Sequence, residues 1–331
     1  MKKKVLVLCL VIVLILTGVM ASGCSGGVPE IPAPEPAPAQ SPEPEAAPAA
    51  PEDTAIVVTD MSGREVRLDA PATRVVALTA ADVETLFAIG AGDLLVGRGE
   101  YCNYPPEALD VQSVQSGYET NIEQIIALQP QLLIMAKMDQ NEDQVRQCED
   151  AGVTVFVTDA QDIAGTYTAI DSIGKLVGKE AAAAGVIDGM KATFADLISK
   201  AAAAGSEQKT IYFEVSPLEF GLWTTGQGTF MNEVAELLGI RNIFDDVEGW
   251  AEISEEQVLE RNPDYILTVG MYFGDGPTPI ESILMRPGWE SITAIKNEAI
   301  LNLTEDELSR PGPRLALGAK MLYEFVYGDG A

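Results

Sequence analysis

The chain has 331 residues, 47% of them apolar, a formal net charge of −29 and no histidine. That length and apolar share suffice for two hydrophobic cores, while the charge speaks against nucleic acid, whose phosphates need clustered Lys and Arg. Without histidine there is no Ser-His-Asp or Cys-His site and no His-ligated zinc, copper or haem; a metal would arrive inside a chelate or be bound by oxygen.

Residues 1–23 read as a lipoprotein signal peptide. Lys2, Lys3 and Lys4 precede an apolar run from Val5 to Leu16, and Ala21-Ser22-Gly23 stand before Cys24, where cleavage leaves a cysteine for acylation. Ala21 stands where such signals usually carry leucine, and the run is short for a membrane span. Residues 24–54, rich in Pro, Ala and Glu and without apolar periodicity, read as a disordered tether. A lipid, a tether and a folded body describe a protein on the extracytoplasmic face of a cell membrane, at the cell surface or in a periplasm. Cys9 leaves with the signal and Cys24 takes the lipid. Cys102 and Cys148 remain, as a disulfide or as two unpaired thiols; their spacing carries no framework signature.

Residues 55–161 read as an α/β lobe. A hairpin over Ile56 to Leu68 turns at Asp60-Met61-Ser62-Gly63. Strands follow at Arg74 to Thr79, Leu94 to Gly97, Gln131 to Ala136 and Val153 to Thr158. Helices fall at Asp82 to Ile89, Ile122 to Leu128 and Glu142 to Ala151. This alternation predicts largely parallel strands.

Residues 162–205 read as connecting helices. Asp162 to Val177 is amphipathic. Lys179 to Ala204 then places Val186, Met190, Phe194, Leu197 and Ala201 on one face at the helical period, with Ile187 and Ile198 beside them. At 1.5 Å per residue it is about 39 Å long, which suits either a rigid strut between two lobes or a long helix within one domain. Residues 206–331 repeat the first rhythm. Strands are expected at Thr210 to Val215, Tyr265 to Val269 and Ala299 to Leu303, and helices at Phe230 to Leu238, Ser254 to Arg261 and Pro313 to Val326. Asn121-Ile122-Glu123-Gln124 leading to Pro130 and a strand matches Ser254-Glu255-Glu256-Gln257 leading to Pro263 and a strand, as in a pseudo-symmetric clamp.

Motifs for chemistry are weak. Gly174-Lys175-Leu176-Val177-Gly178-Lys179 is one residue short of a phosphate loop, with Glu180 where Ser or Thr is needed. There is no G-x-S-x-G elbow, and Gly226-Gln227-Gly228 is too short for a dinucleotide fingerprint. No carboxylate pair stands out, so no catalytic residue and no protein-held metal or cofactor is assigned. The aromatics say more. Tyr101, Tyr104, Tyr118, Trp223, Trp250 and Tyr272 read as loop residues beside Gly or Pro, suited either to a planar ligand in a cleft or to local cores.

Five stretches resemble the metal-chelate class of substrate-binding proteins of ABC importers, which take cobalamin, siderophores or haem. They are Arg74 to Thr79 with Glu84 and Leu86, Tyr101-Cys102-Asn103-Tyr104-Pro105-Pro106, Asn121 to Ile125, Ile253 to Leu259 with Asn262-Pro263-Asp264, and Arg310-Pro311-Gly312-Pro313-Arg314-Leu315. The resemblance spans about Val57 to Tyr327. It implies two α/β lobes joined by one long helix, with the ligand in the cleft between them. It implies that Glu123 and Glu256 pair with arginines of the membrane permease, which works with ATPase subunits.

The nearest local match is to cobalamin-binding members. It implies ligand contacts from Tyr104, Trp223, Trp250, Asp306 and Arg310, with Tyr118 beside the first of two missing tryptophans. Gly117 and Ala136 stand where those tryptophans are expected, which leaves room for another corrinoid or a ferric siderophore. Arg310 would suit an anionic siderophore as well, and Arg314 has a structural reading at the start of the last helix. The reading is therefore a monomeric, lipid-anchored receptor without a catalytic step that takes a corrinoid, with a ferric-siderophore or haem receptor as the rival. An extracellular hydrolase lacks a nucleophile motif, and a purely structural lipoprotein leaves the aromatics and paired glutamates without a role.

Overall fold

The computed structural model describes residues 55–328 apart from 118, 138–140, 206, 217, 271–275 and 304–305. The signal peptide, Cys24 and the tether lie outside the described residues.

The body opens with a hairpin, β1 (Ile56–Thr59) and β2 (Glu65–Leu68), paired antiparallel. Asp60 fixes its turn: Oδ1 accepts from the amides of Ser62 and Arg64 at 3.0 and 2.8 Å, the local bonding that favours Asp in turns. Then come β3 (Val75–Ala77), α1 (Ala80–Ala88), β4 (Leu95–Gly99), β5 (Ser113–Val114), α2 (Ile122–Ala127), β6 (Leu132–Ala136), α3 (Asn141–Asp150) and β7 (Thr154–Thr158). The five strands after the hairpin form one parallel sheet in the order β5-β4-β3-β6-β7.

Two helices, α4 (Ile163–Leu176) and α5 (Glu180–Ala204), carry the chain onward. Beyond them lie β8 (Lys209–Glu214), β9 (Leu222–Thr225), α6 (Phe230–Leu237), β10 (Ile240–Asn242), β11 (Trp250–Ile253), α7 (Glu255–Arg261), β12 (Tyr265–Thr268), α8 (Pro279–Leu284), α9 (Thr293–Lys296), β13 (Ile300–Asn302) and α10 (Leu315–Tyr327). The second parallel sheet has the order β10-β8-β12-β13, and β9 pairs antiparallel with β11 outside it. Both parallel sheets grow first to one side of their opening strand, β3 or β8, and then to the other. The carboxyl ends at such a reversal frame a crevice.

Side chains alternate across each sheet. Val75, Ala77, Leu132 and Ile134 join Ile170 and Ile173 of α4 and Met190, Phe194 and Leu197 of α5; Ile211, Phe213 and Leu267 join the same cluster with Leu315, Ala319 and Leu322 of α10. Val76, Leu133 and Met135 instead pack with Ile125 and Val145, and Tyr212 and Ile266 with Val258 and Trp289. Two α/β lobes therefore share one continuous apolar layer, and α5 is its middle.

The buried face of α5 is Ala183, Ile187, Met190, Phe194, Leu197 and Ala201. Ile187 occupies the place the sequence reading gave to Val186, which is half-buried, and Ile198 is exposed. The α4–α5 crossing explains Gly174: a Cβ there would stand 2.5 Å from the Ala183 side chain. Gly178, at φ 66, turns the chain between the helices. Gly174 to Lys179 is a helix–helix corner. Cys102 and Cys148 are free and buried in different clusters. Among the described residues no helix is long and apolar enough to cross a membrane.

Candidate ligand-binding site

A cavity of about 300 Å³ opens at the carboxyl ends of β3, β6 and β7. From that side it is lined by Thr79 to Asp82, by Ala136 and Lys137, and by Thr158 to Gln161; the second lobe supplies Phe230, Trp250 and Ser309 to Pro311. The cavity lies at the reversal point of the first sheet, between β3 and its late neighbour β6.

Its most buried polar lining residue with a charge to lose is Asp82, 3% exposed. Thr79 caps α1, its Oγ1 accepting from the Asp82 amide at 3.3 Å. The Thr79 hydroxyl donates in turn to Asp82 Oδ2, and Thr158 Oγ1, at the end of β7, donates to the same oxygen at 3.1 Å. Burial pushes the Asp82 carboxyl up to about 6, against the lowering effect of the two hydroxyl bonds. At the rim Lys137 Nζ stands 3.1 Å from Asp159 Oδ2, and Gln161 Nε2 donates to Asp159 Oδ1 at 2.8 Å.

The facing wall is aromatic. Trp250 is 38% exposed and lies tilted on buried Phe230, ring centroids 5.6 Å apart. Trp223 and Trp250 are strand residues, which corrects their assignment to loops. In the β9–β11 register Trp223 faces Glu252 and Trp250 faces Thr225, so both tryptophans share one face of the ribbon. Trp223, 39% exposed, is not among the residues lining the cavity.

Arg310 lines the cavity but its guanidinium is already engaged. Nη1 donates to Glu84 Oε1 at 3.0 Å and to Asn103 Oδ1 at 2.9 Å, and Nη2 stands 2.5 Å from Asp306 Oδ2. Asp306 holds a left-handed backbone, φ 63, and accepts from Ser309 Oγ at 3.1 Å. Arg314 forks onto Glu84, Nε to Oε2 and Nη2 to Oε1, both at 2.9 Å, and its guanidinium lies 3.8 Å from the centroid of the Tyr104 ring. Tyr104 is therefore the stacking partner of Arg314 and does not line the cavity. Tyr101 is exposed at 69% and also lies outside the lining. Tyr118 and Tyr272 lie outside the described residues. Of the ligand residues expected from the resemblance, the cavity gathers Trp250 and Arg310; Asp306 is paired with Arg310.

The sequence reading missed Asp82, Thr158 and Phe230. Asp82 carried a signal, a carboxylate three residues after Thr79, but that pattern reads as helix capping. Ala136, where the resemblance leads one to expect tryptophan, lines the cavity, so among the described residues that position brings no aromatic surface to the wall.

Glu123 and Glu256 occupy matching places in the two lobes. Asn121 Oδ1 accepts from the Gln124 amide at 3.0 Å, and Ser254 Oγ from the Gln257 amide at 3.4 Å. Each glutamate is the second residue of its helix, and both are exposed. Both helices end at a left-handed residue before proline, Gln129 at φ 50 and Asn262 at φ 42. The residue after each proline then ties down a threonine: Gln131 Oε1 accepts from Thr73 N at 2.7 Å, and Asp264 Oδ2 from Thr210 N at 3.0 Å. The Glu256 backbone amide and the Ser254 hydroxyl hold the Glu256 carboxyl below the usual range.

A family model described as periplasmic binding protein matches residues 75–307. An uncharacterised ABC transporter substrate-binding lipoprotein of Bacillus subtilis (strain 168) is 32% identical over 278 residues, 83% of this chain and 86% of that one. The vitamin B12-binding protein of Salmonella paratyphi A is 31% identical over 255 residues, 76% of this chain and 89% of that one. The crystal structure of a possible iron-binding, periplasmic solute-binding protein of Staphylococcus epidermidis superposes with a TM-score of 0.67 at 31% identity, covering 78% of this chain and 100% of that one.

Proposed function

Because the chain belongs to the periplasmic binding protein family, we propose that it is the substrate-binding protein of an ABC importer and captures a metal chelate, a corrinoid such as cobalamin in the first place. The observation that carries this reading is the cleft itself. An aromatic wall from one lobe, Trp250 on Phe230, faces a polar floor from the other, Thr79, Asp82 and Thr158. A large ligand that is apolar on its faces and polar at its edge fits such a pair of surfaces. The relative named for vitamin B12 binding supports the corrinoid. The relative named as possibly iron-binding supports the second reading, a ferric siderophore.

In this proposal the protein performs no chemical step. It acts as a monomer on the outer face of the membrane, held by lipid on Cys24 through the tether of residues 24–54. The first lobe extends over residues 55–161 and the second over 206–331, with residues 162–205 between them. Glu123 and Glu256 dock it on the permease, where exposed carboxylates pair with arginines through charge-assisted hydrogen bonds. Trp223 then extends the ligand contacts along the ribbon, Asp306 and Arg310 add theirs, and Tyr118 is a further contact residue.

Calorimetry of the purified protein against cobalamin, cobinamide, haem and ferric siderophores tests the reading. Cobalamin or cobinamide should bind most tightly. Tightest binding of a ferric siderophore would establish the second reading, and binding of none of them would overturn both.

A further inference from the structure

Asp82 has more in it than a helix cap needs. Its Oδ2 takes both threonine hydroxyls, Thr79 from its own turn and Thr158 from β7. Its Oδ1 has no hydrogen-bond partner among the described residues, although the residue is 3% exposed and lines the cavity. A capping carboxylate at a surface would be open to water at both oxygens; this residue is 3% exposed, and burial raises its proton affinity.

The cations around the cavity are engaged by the protein's own carboxylates. Lys137 is paired with Asp159, and Arg310 with Glu84 and Asp306. A ligand carboxylate arriving beside Asp82 would therefore be desolvated next to a like charge, with each lining cation among the described residues already paired. A ligand N–H would instead complete the vacant acceptor with a charge-assisted bond.

We propose that Asp82 is a specificity-determining residue: Oδ1 accepts an N–H from the edge of the ligand, so that the cleft takes carboxamide-bearing chelates and rejects carboxylate-bearing ones. The inference rests on the metal-chelate reading above and narrows it.

The test uses two probe pairs. Dicyanocobinamide carries carboxamides around the same ring on which cobyrinic acid carries carboxylates. Wild type should bind cobinamide at least ten-fold more tightly than cobyrinic acid. Asp82→Asn keeps the shape and the threonine bonds, and should bring the ratio towards one, mainly by improving cobyrinic acid binding. An unchanged ratio, in a variant whose circular dichroism and melting match a folded protein, overturns the proposal. If wild type binds neither corrinoid, the corrinoid reading fails by itself and the second pair decides. Cationic, amide-bearing ferrioxamine B should then be preferred to haem, with its two carboxylates, and Asp82→Asn should again erode the preference. Haem binding equal to or tighter than ferrioxamine B, a preference insensitive to Asp82, or binding of neither overturns the acceptor role.

Discussion

Glu84 and Arg314 lie 230 positions apart in the chain and meet in a two-pronged ion pair, both nitrogen–oxygen distances 2.9 Å. Glu84 belongs to α1 of the first lobe, and Arg314 starts the last helix of the second. Arg310 adds a third bond to the same carboxylate. The C-terminal segment therefore fastens the second lobe to the first at the cleft, apart from the apolar layer around α5.

Glu84→Ala should be strongly destabilising, because it leaves buried Arg314 with only Glu307, at 3.8 Å, in place of its two-pronged partner. Loss of one member of a buried pair costs about 3–5 kcal/mol. Replacing Glu84 and Arg314 together by Met should recover part of this, since it removes the stranded guanidinium but leaves buried Glu307, 3.8 Å from Arg314 in the wild type, without that cation. Urea unfolding of the two variants checks it; a double variant no better than Glu84→Ala would show that the pair is not the cause.

Binding should change the shape of the molecule little. The lobes are joined by α5, which has no proline, and by the Glu84 bonds. Gly185 and Gly189 are exposed in α5, and each weakens a helix by about 1 kcal/mol relative to alanine, which leaves room for slight bending. Small-angle scattering with and without ligand should nearly superpose, and a large closure would contradict the two connections.

The two tryptophans should separate in their effects. Trp250 lines the cavity and Trp223 sits further along the same ribbon face. Trp250→Ala should lose about 1–3 kcal/mol of ligand affinity, the scale of burying a large apolar side chain. Trp223→Ala should lose less. Calorimetry of both variants against the tightest ligand decides, and a reversed order would move the cleft towards the Trp223 end.

Asp82 should make stability depend on pH. Its carboxyl titrates near 3.8 when exposed and about 6 in the fold. The folded state thus holds the proton more tightly, so the contribution of Asp82 to stability is greatest below pH 4 and is lost as pH rises through about 6. Asp82→Asn should remove that fall, leaving the variant more stable than wild type at pH 7 by up to about 3 kcal/mol and no more stable near pH 4. Arg310 faces the same region, and Cys102, pushed up to about 12 by burial and then by the Asp82 charge, does not titrate in this range. Melting curves from pH 4 to 7.5 measure the difference.

Glu123 and Glu256 should matter for transport and leave capture alone. Alanine at either should preserve ligand affinity and reduce uptake with the cognate permease; lysine at both should abolish uptake, because repulsion joins the lost pairing. Normal uptake by the double-lysine variant at matched expression would make them ordinary surface residues.

The two lobes and α5 were legible because their signals are local. A helical period, a capping residue followed by Gln124 or Gln257, and proline at a fixed distance after each helix are visible within about ten residues. The β9–β11 ribbon was not legible. Its strands are four residues each, and the pairing joins segments 25 residues apart, so Trp223 and Trp250 looked like loop aromatics. Arg310 showed the opposite limit. Its charge near the cleft was plain, but its partner Glu84 lies 226 positions earlier and was read only as part of the resemblance carried by the first strand and helix. Asp82 was hidden by a sound local explanation, the cap of α1, which says nothing of the strand end at Thr158 that buries it.

The fastening at Glu84 has a mechanical consequence. A rigid body tied to another at two separate places keeps both ties only when it rotates about the line through them. The helical layer around α5 is one tie and the Glu84–Arg314 contact is the other. Any turn of the second lobe about a different axis must stretch hydrogen bonds at Glu84 or shear side chains along α5. A membrane partner that pulls the lobes apart would work against both ties at once, whereas one that applies a torque along their common line would meet the least resistance.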